Sequence, residues 1–235
     1  MSDVVQQIAE NVARVRERIA AAALAAGRSP EDVRLVAVTK YVGPAEAAAL
    51  VAADCHVLGE NRPQQLWEKA AEPVLAGVHW HLIGHLQRNK VRRTLPLVEM
   101  IHSVDSLRLL QSIEQIADEL NQKVKVLLEV NCSGDVEKHG LLPDDLRRLF
   151  SALPILPHVE IRGLMTMAAR EGGVATAARN FATLRQLRDL LAPKCPPEVA
   201  LKELSMGMSR DFEAAIREGA TLVRIGSILF DGVLT

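Results

Sequence analysis

Eight short apolar segments, which alternate with segments of helical periodicity, constrain the fold of this chain more than any other feature. Their length and β-branched content are typical of strands buried on both faces, as in a parallel sheet. We predict strands at about 34–39, 55–58, 78–83, 99–103, 124–131, 158–164, 201–204 and 221–225. We predict helices from residue 44, over 63–75, through 90–93, over 106–120, from residue 143, over 176–191 and over 209–218.

This order of elements predicts an α/β fold of the (β/α)8 TIM-barrel type, because strand and helix alternate eight times with short connections. Val4, Ile8, Val12, Val15 and Ile19 recur at helical spacing, so an extra N-terminal helix should cap or flank the barrel. The alternative is an open doubly wound sheet, but no Gly-x-Gly-x-x-Gly follows the first strand. No linker or repeat divides the chain, and we expect one domain over residues 1–235.

The composition excludes several classes of protein. The formal net charge is −1 with both signs interspersed, so no long basic patch indicates nucleic acid. Three cysteines, odd in number and far apart, fit a reducing cytosol better than a disulfide framework or a metal knuckle. The amino end lacks the basic and apolar regions of a signal peptide, and the longest apolar stretch is too short for a membrane span. We therefore expect a cytoplasmic protein that binds no membrane.

Lys40 ends the first predicted strand, Leu35-Val36-Ala37-Val38-Thr39-Lys40. An ammonium group in an apolar setting loses hydration, so a lysine there is costly unless its amine is used, for example as the nucleophile of a Schiff base. The alternative is a lysine that extends to water. Arg224, on the strand that would close against this one, cannot shed its charge and needs an acceptor. That acceptor is either an unprotonated aromatic nitrogen of a ligand or a carboxylate such as Glu203.

Two loops have the composition of a phosphate site. TIM barrels often bind phosphate after strands 7 and 8, where this chain has Ser205-Met206-Gly207-Met208-Ser209-Arg210-Asp211 and Arg224-Ile225-Gly226-Ser227. Glycine lets backbone amides approach an anion, serine donates a hydroxyl, and a helix amino end adds a favourable dipole. Ser209 alone could equally be an ordinary N-cap. Two such loops on these two strands favour phosphate.

Together these residues resemble the pyridoxal phosphate homeostasis proteins, the YggS/PROSC family, whose fold is similar to the barrel domain of alanine racemase. The resemblance covers nearly the whole chain. Its two most specific segments are Trp80-His81-Leu82-Ile83-Gly84-His85-Leu86-Gln87-Arg88-Asn89-Lys90 and Ser205 to Asp211. The shorter ones are Ala37-Val38-Thr39-Lys40, Gly59-Glu60-Asn61, His102-Ser103-Val104-Asp105-Ser106, Arg162-Gly163-Leu164-Met165-Thr166-Met167 and Arg224-Ile225-Gly226-Ser227.

The resemblance implies a fold-type III barrel that binds pyridoxal 5′-phosphate (PLP). Lys40 would hold the cofactor as a Schiff base, and Arg224 would face the pyridine nitrogen. Ser209, Gly226 and Ser227, with the Met208 backbone, would hold the phosphate. Asn61, His85, Met165 and Ser205 would line the pocket. The chain departs from the family pattern at Arg62-Pro63-Gln64-Gln65, at Asp135 and at Asp231, where contacts at the rim are expected.

The resemblance implies a PLP carrier with little or no turnover, for which PLP-dependent apoenzymes are candidate recipients. Two alternatives stay open: a PLP-dependent amino-acid racemase, and a Schiff-base aldolase without the cofactor. A racemase of the alanine racemase type needs a tyrosine from a second domain, and we expect neither that domain nor a dimer here. The single tyrosine, Tyr41, should point away from Lys40 if the strand continues through it.

The histidines and the basic cluster have simpler interpretations. His79 and His81 lack a third ligand, so we predict no metal site and place His81 inside the barrel, hydrogen-bonded. Met165 could be a core residue in place of a pocket residue. Arg88, Lys90, Arg92 and Arg93 form either a solvated helix face or a weak patch for anions or a partner.

Overall fold

The computed structural model describes residues 3–135, 137–196 and 199–233, and within them eight parallel strands form a closed barrel. Each strand pairs with its neighbour in the chain, and the last pairs with the first, with Val36 aligned to Arg224. The predicted TIM barrel is confirmed, and the open doubly wound sheet is wrong. The strands are β1 Arg34–Val38, β2 Val57–Glu60, β3 His79–Leu82, β4 Met100–Val104, β5 Val124–Glu129, β6 Val159–Met165, β7 Glu203–Ser205 and β8 Leu222–Ile225.

Helices surround this barrel. They are α1 Asp3–Ala25, α2 Pro44–Ala52, α3 Pro63–Ala70, α4 Val91–Thr94, α5 Leu107–Glu119, α6 Pro143–Ser151, α7 Gly173–Leu191 and α8 Phe212–Arg217. Short 3-10 helices span Pro30–Asp32, Pro73–Leu75, Arg88–Lys90, Leu95–Leu97, Ala192–Lys194 and Ser227–Phe230. In the described ranges, no helix is both long enough and apolar enough to cross a membrane.

The extra helix α1 flanks the barrel, as predicted. It packs against α2, α8 and the 3-10 helix after β8. Its apolar stripe, which includes Ile8, Val12 and Val15, is buried. The amide of Asn11 donates to the backbone carbonyls of Leu229 at 3.1 Å and of Asp231 at 2.9 Å. These bonds tie α1 to the segment that follows the last strand.

Several predicted boundaries differ from the structure; among them, α3 ends at Ala70 and β5 at Glu129. β2 begins at Val57 and includes Gly59 and Glu60, β7 is shifted to Glu203–Ser205, and α8 begins at Phe212 in place of residue 209. Cys55 and Leu201 each lie before their strand but are only 5% exposed. Because a buried apolar residue resembles a strand residue in the sequence, both predicted strands began too early. The apolar pattern of the sequence reflects burial, whereas hydrogen bonding to the neighbouring strand determines where each strand begins and ends.

The apolar core has two parts. The larger lies between the barrel and the helices. The smaller fills the barrel with Val36, Met100, Leu127, Met165 and Leu222. The barrel interior is therefore packed, as in other TIM barrels, and a ligand has room only above this layer at the carboxyl ends of the strands.

Candidate functional site

A cavity of about 1300 Å³ opens at the carboxyl ends of the strands. Most of the residues predicted from the sequence line it, although they come from five strands and lie up to 187 positions apart. The lining set includes Lys40, Asn61, His85, Met208, Ser209, Arg224, Gly226 and Ser227. Folding therefore brings eight of the ten predicted site residues together at one place.

Met165 and Ser205 are the two exceptions. Neither lines the cavity, contrary to the expectation for both. Met165 is fully buried in the apolar layer inside the barrel, which agrees with its alternative interpretation as core. Ser205 is fully buried beneath Arg224. Met167, two residues beyond the end of β6, lines the cavity in the place expected for Met165.

Lys40 lies just beyond β1, half-buried, with its side chain on the cavity. The strand ends at Val38, so the alternation that was expected to turn Tyr41 away does not extend to it. Tyr41 lines the same cavity, and Nζ of Lys40 lies 4.7 Å from the centroid of its ring. The expected direction of Tyr41 depended on a strand that continues through it, and that condition is not met.

Ser209 joins the two loops of the predicted phosphate site. Its hydroxyl accepts a hydrogen bond from the backbone N–H of Gly226 at 3.3 Å. A side chain at Gly226 would bring Cβ to 3.2 Å from the Val38 carbonyl, so only glycine fits without displacing β1. The loops after β7 and β8 thus form one shallow cup that is open to an anion.

The alternative role of Ser209 as a helix N-cap is wrong, because α8 begins at Phe212 and Asp211 occupies the cap position. The carboxylate of Asp211 accepts from the backbone N–H of Met208 at 2.6 Å. Burial raises the pKa of this carboxyl, and the Met208 amide and Arg224 partly offset that rise. An anion that used the Met208 amide would have to displace the carboxylate.

Arg224 forms part of the cavity floor and is only 4% exposed. Its guanidinium donates to Ser205 Oγ at 2.5 Å and to the Thr166 carbonyl at 2.9 Å. Burial lowers the pKa of Arg224 to about 10, and the charges of Glu129 and Asp211 oppose this decrease. The guanidinium therefore stays charged at neutral pH. Glu203 instead pairs with Arg34 at 2.8 Å, so the predicted alternative pair of Arg224 with Glu203 is wrong.

A buried chain of hydrogen bonds continues from Arg224 through the barrel. Ser205 Oγ lies 2.8 Å from His102 Nδ1, and His102 Nε2 lies 2.9 Å from His81 Nδ1. Burial lowers the pKa of His81 to about 4 and that of His102 well below its ordinary value, so both rings are neutral. Because Arg224 only donates, the proton of the Ser205 hydroxyl is free to donate to His102 Nδ1, and in that tautomer His102 Nε2 donates to His81. The prediction of a hydrogen-bonded His81 inside the barrel is confirmed.

Asn61 contributes a buried acceptor to the cavity wall. Its Oδ1 has no hydrogen-bond partner among the described residues. Its backbone is closely packed, because a Cβ at Gly84 would overlap the Asn61 carbonyl oxygen. A buried amide oxygen without a partner suits a ligand that carries a hydroxyl or a protonated nitrogen.

His85 stands at the cavity rim with two further polar residues. Its Nδ1 lies 3.3 Å from Asp105 Oδ2, and His139 Nδ1 lies 3.9 Å from the same oxygen. Two histidines and a carboxylate within 4.8 Å form a possible ligand set for a metal ion. However, the two rings are stacked at 4.6 Å with an angle of only 17° between them. The lone pairs of ring nitrogens lie in the ring planes, and near-parallel stacked rings do not direct them at one nearby point, so coordination of one ion by both histidines would require a ring to turn.

The basic cluster that follows β3 has mixed contacts. Arg92 pairs with Glu119, and the guanidinium of Arg93 lies 4.2 Å from the centre of the Trp67 ring. Lys90 lines the cavity, whereas Arg88 lines a smaller neighbouring groove. Arg88, Arg92 and Arg93 are exposed, and both interpretations of the cluster stay predictions.

Sequence reasoning missed several residues of the site. His102 and Thr166 were noted only as parts of longer motifs, and no pattern in the sequence indicates that they hold Ser205 and Arg224. Arg62 and Asp231, where the chain departs from the family pattern, line the cavity. Their departure from the family pattern was the signal in the sequence that pointed to these two residues.

The architecture and the site agree with the comparisons to known proteins. The family model "Alanine racemase, N-terminal domain" matches residues 5–232. The pyridoxal phosphate homeostasis protein of Aquifex aeolicus is 40% identical over 221 residues, which are 94% of this chain and 96% of that protein. The counterpart in Pseudomonas aeruginosa is 41% identical over 223 residues, which are 95% of this chain and 94% of that one.

Solved structures give the same result. PipY of Synechococcus elongatus PCC7942, solved with PLP bound, is 38% identical, has a TM-score of 0.84, and is matched over 95% of this chain and 99% of its own. Alanine racemase of Streptomyces coelicolor A3(2) is 21% identical with a TM-score of 0.76 over 96% of this chain and 58% of its own, which shows a shared fold. This chain belongs to the alanine racemase N-terminal domain family and, within it, to the pyridoxal phosphate homeostasis proteins.

Proposed function

We propose that this chain binds PLP in the cavity above the barrel, holds it as a Schiff base on Lys40, and serves PLP homeostasis with little or no turnover. The observation that carries the proposal is the convergence of Lys40, Arg224 and the Ser209–Gly226 cup on one cavity. PLP-bound PipY and the named relatives support the same cofactor.

The residues present fit the groups of the cofactor. PLP supplies an aldehyde that can bond to an amine, a phosphate, and a pyridine ring. The cup formed by Ser209, Gly226 and Ser227 suits the phosphate, because it offers hydroxyl and backbone N–H donors; the Gly226 N–H, which now donates to Ser209, would turn to the phosphate. Arg224 suits an unprotonated ring nitrogen, because a guanidinium can only donate. Asn61 offers its unpartnered Oδ1 to a donor on the ligand.

The state of Arg224 supports a carrier over an enzyme. Ser205 and Thr166 hold the guanidinium in place, and it stays charged because its pKa is still about 10. A charged donor at the ring nitrogen disfavours ring protonation and so weakens the electron sink on which most PLP catalysis depends. We propose that the buried chain through His102 and His81 maintains this orientation.

The experiment that tests the proposal is a visible spectrum of the purified protein before and after borohydride, followed by mapping of the modified peptide. We expect a reducible absorption band and a pyridoxyl group on Lys40. In the Lys40→Ala variant the covalent label should disappear; label at another lysine would refute the assignment. A protein that stays colourless with added PLP would refute cofactor binding.

Turnover needs a separate assay. We expect racemisation and transamination of common amino acids to stay far below ordinary enzyme rates of about 1–10³ s⁻¹. Turnover within that range would refute the carrier role and support the racemase alternative. A Schiff-base aldolase would show reducible attachment of its sugar substrate without the cofactor's absorption.

Location, assembly and recipients are also proposals. Free thiols at Cys55, Cys132 and Cys195 support a reducing compartment such as the cytoplasm. We propose one domain and a monomer, which sedimentation would test. PLP-dependent apoenzymes are the proposed recipients, and transfer from the loaded protein to such an apoenzyme, faster than release into buffer, would support direct delivery.

A further inference from the structure

A buried ion pair ties β1 and β2 together behind the cavity. Lys69 of α3 donates to Glu60 Oε1 at 2.5 Å and to the backbone carbonyl of Thr39 at 2.7 Å. The Thr39 hydroxyl donates to the same Glu60 oxygen at 2.7 Å. Lys69 is 7% exposed, and Glu60 and Thr39 are fully buried. One carboxylate oxygen therefore accepts bonds from an ammonium and from a hydroxyl in the space between barrel and helix.

The location of this cluster connects it to the cavity. The side chains of Thr39 and Glu60 meet at Lys69 of α3, whereas the next residues, Lys40 and Asn61, line the cavity. The Thr39 N–H also donates to the Gly59 carbonyl at 3.0 Å. Every polar group of Thr39 is thus engaged, and the backbone from which Lys40 extends is held in one position.

Stability does not account for such an arrangement. Burial of a lysine and a glutamate costs solvation energy that their attraction barely recovers, and apolar side chains of similar volume are often as stable. In addition, Glu60 Oε2 is buried without a hydrogen-bond partner among the described residues. Costly buried polar groups beside a ligand cavity are expected where they serve function.

We propose that Glu60 and Lys69 are positioning residues that hold the Lys40 amine at the angle and distance needed for attachment of PLP; this inference rests on the proposed function. In that step Nζ of Lys40 adds to the aldehyde carbon and a C=N bond forms. The two amine protons leave with the aldehyde oxygen as water. A displacement of the reacting amine by about 1 Å slows such a step on the order of 10²-fold.

The test compares two ligands in a double variant, Glu60→Gln with Lys69→Met, which removes both charges together. Pyridoxine 5′-phosphate has an alcohol in place of the aldehyde, so it reports cofactor binding without attachment to lysine. We expect the rate of borohydride-trapped pyridoxyl label on Lys40 to fall about tenfold or more. The affinity for pyridoxine 5′-phosphate and the unfolding temperature should stay close to those of the wild type.

A matched control is available at the opposite end of the barrel. Lys125 pairs with Glu99 at 3.1 Å, next to the amino ends of β4 and β5. The double variant Glu99→Gln with Lys125→Met should leave both ligand measurements unchanged. Thr39→Val is a milder second test, since it removes only the hydroxyl bond, and it should slow labelling in the same direction without loss of fold.

The outcomes separate the two proposals. Equal labelling rates in the wild type, the double variant and Thr39→Val would overturn the positioning role, because the cluster would then be packing alone. A parallel loss of labelling, pyridoxine 5′-phosphate binding and thermal stability would also overturn it in favour of a structural role. If wild-type Lys40 takes no label at all, the proposed function itself fails, and the positioning role fails with it.

Discussion

Glu129 should make the stability of this protein depend on pH in the neutral range. The residue ends β5 and is only 4% exposed. Burial and, after it, the charge of Asp105 raise the pKa of its carboxyl, Arg224 partly offsets this, and the result is a shift from 4.5 to about 7. The folded protein therefore holds a proton on Glu129 over a range of pH in which the unfolded chain has released it.

The direction and the size of the pH effect on stability follow from the difference in the pKa of Glu129 between the folded and the unfolded state. Between pH 4.5 and about 7 the folded state binds more protons than the unfolded state, so the free energy of unfolding falls as the pH rises. At about 1.4 kcal/mol for each unit of pKa, the full effect is about 3 kcal/mol. The stabilisation is fully present below pH 4.5, and most of it is lost as the pH rises from 5 to 8.

The assay is urea unfolding of the wild type and Glu129→Gln at pH 5 and pH 8. The neutral amide cannot ionise, so the free energy of unfolding of the variant, relative to the wild type, should rise by about 2 kcal/mol or more between these pH values. Glu17→Gln, on an exposed turn of α1, is the control and should show no such change. A constant difference between Glu129→Gln and wild type at both pH values would refute the reasoning.

Three further predictions concern the cavity. Ser209→Ala should weaken pyridoxine 5′-phosphate binding by about 1.5 to 3 kcal/mol, the value of one charge-assisted hydrogen bond, and equal affinity by calorimetry would contradict a phosphate role. Asp211→Asn should strengthen binding of the same ligand several-fold in a calorimetric titration, because it removes a negative charge next to the Met208 amide; weaker binding would show that the carboxylate orders the loop. Gly207→Ala should destabilise the fold, because its φ is +91° and the new Cβ would lie 2.6 Å from that of Ala215; an unchanged urea midpoint would contradict this.

The sequence determined the barrel and the main elements of the site. Strand burial depends on composition and local periodicity, so eight apolar segments were sufficient to predict the closed parallel sheet. Lys40, Arg224 and the serine and glycine loops could be placed in one cavity because a barrel brings the carboxyl ends of all its strands to one face. These inferences needed only the order of elements and the residue at the end of each.

The tertiary structure alone decided which side chains support that site. Thr39, Glu60 and Lys69 meet behind Lys40, and His102 meets Ser205 from 103 positions away, because neighbouring strands and helices approach at distances that sequence patterns do not encode. The direction of Tyr41 and the burial of Met165 could not be derived from the sequence for a related reason. Alternation assigns opposite faces only within a strand, and the residue at which β1 or β6 ends depends on pairing with its neighbours, not on the local sequence.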